Sequence, residues 1–302
     1  LYEGGSGKFD KALLQLDEKV AILGQLWSGE LFTPFPDDSN LKLSIPAARS
    51  AVTFAHIQPT KWWAMALLAA GVISMITKKY PLRWMCAILF ATGVAIFIWQ
   101  LTIEKTVPLA GAGDILFFVS VMLTGVCALW CNRAMEAAAG GLLMAGFAAL
   151  ASWLNLKDPS LTPLMPVLHS PWLSVHVALV MTSYAFMAFT LPISFIAFAL
   201  PSRRETLAKM SIDILMPGVY LLGLGIWAGA MWANISWGRY WAWDPKETWA
   251  LVTMILYAIP LHRSVGLQRS PIALHVYLAL AFLSIIMTYW GVNYLPSIHA
   301  YQ

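Results

Sequence analysis

The chain has 302 residues, 59% of them hydrophobic and only 11% charged, with a formal net charge of +4 and a mean hydropathy of +0.68. A soluble domain carries about 25% charged residues, so this composition excludes one and predicts an all-α polytopic membrane protein. The modest positive charge needs no nucleic acid as partner, because a membrane surface accounts for it.

The opening LYEGGSGKFD has neither an initiator Met nor the apolar core of a signal peptide, and reads as a mature form or a fragment. LLQLDEKVAILGQLWSGELF has helical apolar spacing, which TPFPDDSN then breaks. Residues 1–60 are small for an independent core. They are expected as an extracytoplasmic N-terminal segment or the end of a larger or fused part, with the membrane domain over 61–302.

A window of about 20 residues predicts eight transmembrane helices: Lys61–Thr77, Leu82–Leu101, Asp114–Trp130, Gly140–Leu154, Pro171–Leu200, Ile212–Ala233, Thr248–Leu261 and Pro271–Gly291. The fourth and seventh are short and the fifth is long. The loops after odd-numbered spans carry nine Lys and Arg, against four after the even-numbered spans. Positive charge collects on the cytoplasmic side, so the even loops, the C-terminus and residues 1–60 are expected outside. Cys86, Cys127 and Cys131 are all expected in spans near their cytoplasmic ends. They read as small buried thiols, and no outer disulfide is expected.

With that topology, His176 lies just inside the outer end of the fifth span and His299 just beyond the eighth. Between the sixth and seventh spans, also outside, runs WGRYWAWDPKETW, with four tryptophans in thirteen positions. A lipid-facing segment would not keep Arg239, Asp244, Lys246 and Glu247, and a solvated loop would not keep Trp237, Trp241, Trp243 and Trp249. Two histidines flanking an aromatic platform on one side of the membrane are what a haem requires, ligated through iron from both faces. Arg239 or Lys246 is placed to pair with haem propionates. A second reading stands beside this one: Asp244, Pro245 and Glu247 have the form N-cap, N1 and N3 of a helix start, and tryptophan belts are common at membrane interfaces. His262 closes the seventh span and His275 opens the eighth, so the two are candidate neighbours on the cytoplasmic side. His56 and His169 read as interfacial.

WGRYWAWDPKETWALVTMILYAIPLHR resembles the tryptophan-rich WWD motif of haem-handling proteins. Within that group it is most similar to the CcsA (ResC) component of System II cytochrome c biogenesis. SPWLSVHV and GVNYLPSIH resemble that family's two flanking histidine segments, and the likeness runs from about Lys61 to the C-terminus. The resemblance implies a cytoplasmic-membrane protein that exports haem b and holds it at an outer WWD site, at about residues 232–250. There the haem is joined covalently to the CxxCH motif of apocytochrome c, a holocytochrome c synthase activity. It implies His176 and His299 as axial ligands at the reacting haem and His262 as a transmembrane iron ligand. The platform it implies comprises Trp237, Gly238, Arg239, Tyr240, Trp241, Trp243, Asp244, Lys246, Glu247 and Trp249. A CcsB (ResB) partner, fused or separate, would supply the histidine that faces His262, and thiol reductants would serve the client. The chain departs from the family at PLAGAGDILFF, where an Asn-x-Tyr-Glu-like segment is usual. Two alternatives remain: a haem chaperone or exporter that delivers haem without attaching it, and a b-type electron-transfer subunit. PKET and the HR that ends the seventh span argue against the first, and the scarcity of facing histidines inside the spans argues against the second.

Overall fold

The computed structural model describes residues 45–77, 82–104, 107–109, 111–155 and 170–295, and among these there is no strand. Contacts divide the chain into residues 1–58 and 59–302. The described part of the first unit is helix α1 (Ile45–Ile57), which ends at Gln58 with a left-handed φ of 51° and its N–H on the Phe54 carbonyl at 2.9 Å.

The second unit is a helical bundle. Its elements are α2 (Pro59–Thr77), α3 (Leu82–Glu104), α4 (Ala112–Trp130), α5 (Met135–Asn155), α6 (Pro171–Ala199), α7 (Arg204–Trp237), α8 (Pro245–Ala258) and α9 (Pro271–Tyr289). Among the described residues, seven stretches are long and apolar enough to cross a membrane, namely Ser50–Thr77, Arg83–Ile103, Ala112–Trp130, Met135–Asn155, Pro171–Ala199, Pro201–Trp237 and Pro271–Tyr289. The place of the seventh expected span, Thr248–Leu261, is taken by α8, which has 14 residues and runs into a 3-10 turn at Ile259–Leu261. At 1.5 Å per residue α8 extends about 21 Å, against about 30 Å of hydrocarbon. By contrast α7 has 34 residues, or about 51 Å, longer than the bilayer core is thick.

Two apolar cores share α6 and α7. The first gathers Trp63, Leu67, Phe117, Leu123 and Leu142 from α2, α4 and α5 against Phe189, Ile193 and Ile214. The second packs Tyr184, Met187, Leu215 and Leu222 against Tyr257 of α8 and Leu274 and Leu278 of α9. Between helices surrounded by apolar lipid, small residues let backbones approach and dispersion do the joining. Accordingly a Cβ on Gly146 would lie 2.7 Å from Leu68, and one on Gly141 would lie 2.4 Å from Phe189. Cys86, Cys127 and Cys131 are buried free thiols in the first core.

The two ends of the bundle differ in charge. At one end Arg133 pairs with Asp213, Arg203 with Glu136 at 3.9 Å and Lys209 with Glu205 at 3.0 Å. Such exposed pairs are each worth about 0–1 kcal/mol; the interest of the first two is positional, since they tie the loop after α4 to α7 and the turn after α6 to the start of α5. At the other end the Tyr289 hydroxyl donates to the Ala112 carbonyl at 3.2 Å, tying the last turn of α9 to the first of α4. The tryptophan-rich segment between α7 and α8 lies at this second end.

Candidate functional site

The WWD segment is shaped by its two helix ends. Gly238 closes α7 in the left-handed region, at φ 72° and ψ 16°, with its N–H on the Asn234 carbonyl at 2.9 Å. Glycine adopts this C-cap without a Cβ penalty. Asp244 opens α8: its Oδ1 accepts the Lys246 N–H at 3.0 Å, and Pro245 occupies the first helical position. Glu247 Oε2 accepts two backbone N–H groups, from Ala242 at 2.8 Å and from Asp244 at 3.2 Å. Those bonds bracket Trp243, which has a φ of 56°. A bulky residue in that region costs about 1–3 kcal/mol and persists only where its surroundings hold it. Here the Glu247 carboxylate does the holding, so the helix-start reading of Asp244 and Glu247 is correct and also explains the shape of the loop.

The consequence is an outward-facing aromatic surface. Trp243 is 71% exposed and Tyr240 55%. Trp241 meets Trp243 edge-on at 5.8 Å, and Trp232 meets Trp237 likewise at 4.7 Å. Indole pairs of this kind are worth about 0.5–1.5 kcal/mol beyond burial. The Trp241 Nε1 is buried with no hydrogen-bond partner among the described residues. Arg239 is exposed, while burial pushes the Lys246 ammonium below the ordinary lysine range against the opposing pull of Asp244. Trp249 is tied to α9 by the Thr288 hydroxyl, which donates to its carbonyl at 3.1 Å.

His176 stands six residues into α6, directly against α7. Its Nδ1 lies 2.7 Å from the Gly225 carbonyl oxygen. A carbonyl only accepts, so Nδ1 carries the hydrogen and the lone pair of the neutral ring resides on Nε2. This backbone bond on one ring nitrogen, fixing the tautomer so that the other can ligate, is the usual support of a metal-binding imidazole. Beside it Trp172 of α6 meets Trp227 of α7 edge-on at 5.9 Å. From Gly229, which touches the ring, α7 rises eight residues to Trp237, about 12 Å. The α6–α7 pair therefore brings His176 and the WWD segment to the same end of the bundle.

His299, the other expected outer ligand, lies outside the described residues, as does His169. His262 is exposed, at the turn that follows α8. The length of α8 separates it from Asp244, so it does not join His176. His275 is fully buried where α6, α7 and α9 meet. Its Nε2 is 3.3 Å from the Arg204 carbonyl and its Nδ1 is 3.4 Å from the Ser194 hydroxyl, with Phe198 edge-on at 6.5 Å. That is the setting of a packing and bridging residue.

The family model described as Cytochrome C assembly protein matches residues 53–299. The chain belongs to this family. Among curated relatives, Protein NrfI of Wolinella succinogenes is 35% identical over 71% of this chain and 25% of its own length. The cytochrome c biogenesis protein CcsA of Chlamydomonas reinhardtii is 32% identical over 64% of this chain and 60% of its own, and CcsA of Prochlorococcus marinus NATL2A is 33% identical over 53% and 63%. The chain thus spans a quarter of NrfI and about three fifths of these CcsA proteins. Cytochrome c Heme Lyase CcmF shares the fold, with a TM-score of 0.60 over 87% of this chain and 48% of that one, at 15% identity.

Within this cytochrome C assembly chain, the expected WWD residues are contiguous at one bundle end and His176 stands on the helix pair that leads to them. Three features were missed by sequence reasoning: the Gly225 carbonyl that holds His176, Gly229 against its ring, and the double grip of Glu247 around Trp243. The first two had a signal, because Gly225 and Gly229 form a small-xxx-small pair in GIWAG. The left-handed Trp243 had none.

Proposed function

We propose that the chain holds haem b between His176 and His299 against the WWD segment and presents it for covalent attachment to apocytochrome c. The observation that carries this reading is the seat of His176, with Nδ1 bonded at 2.7 Å to a backbone carbonyl that fixes the ring's tautomer and orientation. Family membership and the names of the CcsA relatives support the same direction. In this reading Trp237, Gly238, Tyr240, Trp241, Trp243 and Trp249 form the apolar face, with Arg239 and Lys246 at the propionates. Asp244 and Glu247 hold the loop in shape. Each cysteine thiol of a CxxCH client adds across a haem vinyl group: a C–S bond forms at one vinyl carbon and the thiol proton passes to the other. The chain need contribute no nucleophile or oxidant; its task is orientation and exclusion of water.

The Lys/Arg-rich end would face the cytoplasm and the tryptophan end outward. His262, at the charged side, would receive haem on its way through the membrane, with a facing histidine from a CcsB/ResB-like partner. A b-type electron-transfer subunit is the poorer reading, since His275 has both ring nitrogens within reach of Ser194 and Arg204 while His176 sits at the opposite end.

The test is the absorption spectrum of detergent-purified protein. Bis-histidine, low-spin haem is expected, weakened in His176→Ala and His299→Ala and restored by added imidazole. Full haem with an unchanged spectrum in both variants would overturn the assignment. His262→Ala should starve the outer site, and normal outer haem in that variant would remove His262 from the route.

A further inference from the structure

We infer that Gly229 is a positioning residue for His176: by lacking a Cβ, it leaves room for the imidazole to reach the Gly225 carbonyl and so aims Nε2. The inference rests on the reading of His176 as an iron ligand.

Gly225 and Gly229 lie one turn apart on the face of α7 that meets α6. A Cβ on Gly225 would stand 2.7 Å from Val180 Cγ2 and 3.1 Å from the Val180 backbone nitrogen, so the approach of the two helices here leaves no room for a side chain. A Cβ on Gly229 would meet something else. Its three nearest atoms are His176 Nδ1 at 2.6 Å, Cε1 at 2.7 Å and Cγ at 3.3 Å, all in one imidazole ring. Ordinary carbon contacts lie near 3.5–4.0 Å, so the ring would have to retreat by about 1 Å. That retreat pulls Nδ1 away from the Gly225 oxygen and frees the ring to rotate or change tautomer. Metal–ligand distances are held to within about 0.2 Å, so a shift of this size removes a competent ligand without removing the histidine.

The rival explanation is that Gly229 serves helix packing alone, as small residues do throughout membrane interfaces. The two differ in what added imidazole does. A ligand displaced from a standing platform is replaced by free imidazole, whereas a mispacked helix pair is not repaired by it. Gly223, on the same helix as Gly229, supplies the control, because a Cβ there meets only Met254 Sδ of α8 at an ordinary 3.8 Å.

The experiment compares Gly229→Ala, Gly223→Ala and His176→Ala, each purified and titrated with ferric haem while the low-spin spectrum is followed. Gly229→Ala should weaken haem affinity by roughly 10- to 100-fold, the usual effect of losing an outer-shell partner. Imidazole should recover the low-spin form, and Gly223→Ala should match the parent. Parent-like affinity in Gly229→Ala with a defect in His176→Ala would overturn the positioning role and leave the ligand reading intact. Parent-like behaviour in both would remove the ligand reading and this inference with it. Should Gly229→Ala fail to fold, the double variant His176→Gly, Gly229→Ala decides. With the ring gone the added methyl has nothing to displace, so the double variant should fold and take up haem with imidazole as His176→Gly does. If it fails as Gly229→Ala fails, Gly229 is a packing residue only.

Discussion

Replacing Glu247 tests whether the tryptophan surface is held in shape or merely assembled there. One carboxylate oxygen takes the N–H groups on either side of Trp243, at 2.8 and 3.2 Å. Hydrogen bonds to a charged acceptor contribute about 1.5–3 kcal/mol each, so Glu247→Ala forfeits roughly 3–6 kcal/mol locally. Release of Trp243 from its left-handed conformation returns about 1–3 kcal/mol. From the midpoints of these ranges the net loss should be about 2.5 kcal/mol, expressed in the loop rather than in the two cores, which Glu247 does not join. Glu247→Gln keeps an acceptor oxygen and loses only charge assistance, so its cost should be about half. The expected result is faster proteolysis at Arg239, altered tryptophan emission and lower haem retention in Glu247→Ala, with Glu247→Gln intermediate and thermal unfolding of the bundle little changed. Parent-like proteolysis and emission in Glu247→Ala would refute the idea that this carboxylate holds Trp243. Unfolding of the whole bundle would refute the claim that its effect is local.

Lys246→Gln separates the fold from the ligand. Burial disfavours the Lys246 cation, so its folded pKa lies below the unfolded one and its unfavourable effect is complete at any pH below the folded pKa. Haem-free protein should therefore gain stability as pH rises through the folded pKa towards about 10.4. Lys246→Gln should abolish that slope, leave neutral-pH stability equal or higher, and lower haem retention by removing a propionate partner; unchanged retention would detach Lys246 from the site. His275→Ala should cost about 2–4 kcal/mol as a buried truncation that also loses two polar contacts, measured by thermal unfolding in detergent. The haem spectrum of the molecules that remain folded should be unaltered, and a changed spectrum would give His275 a place in the haem route.

What could be read from the sequence divides along physical lines. Apolar length is a direct consequence of bilayer thickness, so most spans were legible, and the extension of α7 to Trp237 shows only that polar ends hide the last turns of a helix. Local chemistry was legible too, since Asp244, Pro245 and Glu247 announce a helix start whatever surrounds them. The inward faces of the helices were not. In a soluble protein the buried face is the apolar one, but in a bilayer lipid and core are equally apolar, so periodicity does not say which side of α6 meets α7. His275 illustrates the loss: its position near a span end suggested the interface, yet it is fully buried at a three-helix junction. GIWAG marks a surface made for close approach without saying what approaches it. Only the packing of α6 places the His176 ring there, and that placement turns a generic small-residue motif into the seat of one imidazole. The tautomer of that imidazole depends on a carbonyl 49 residues away in the chain, a relation that no local pattern carries.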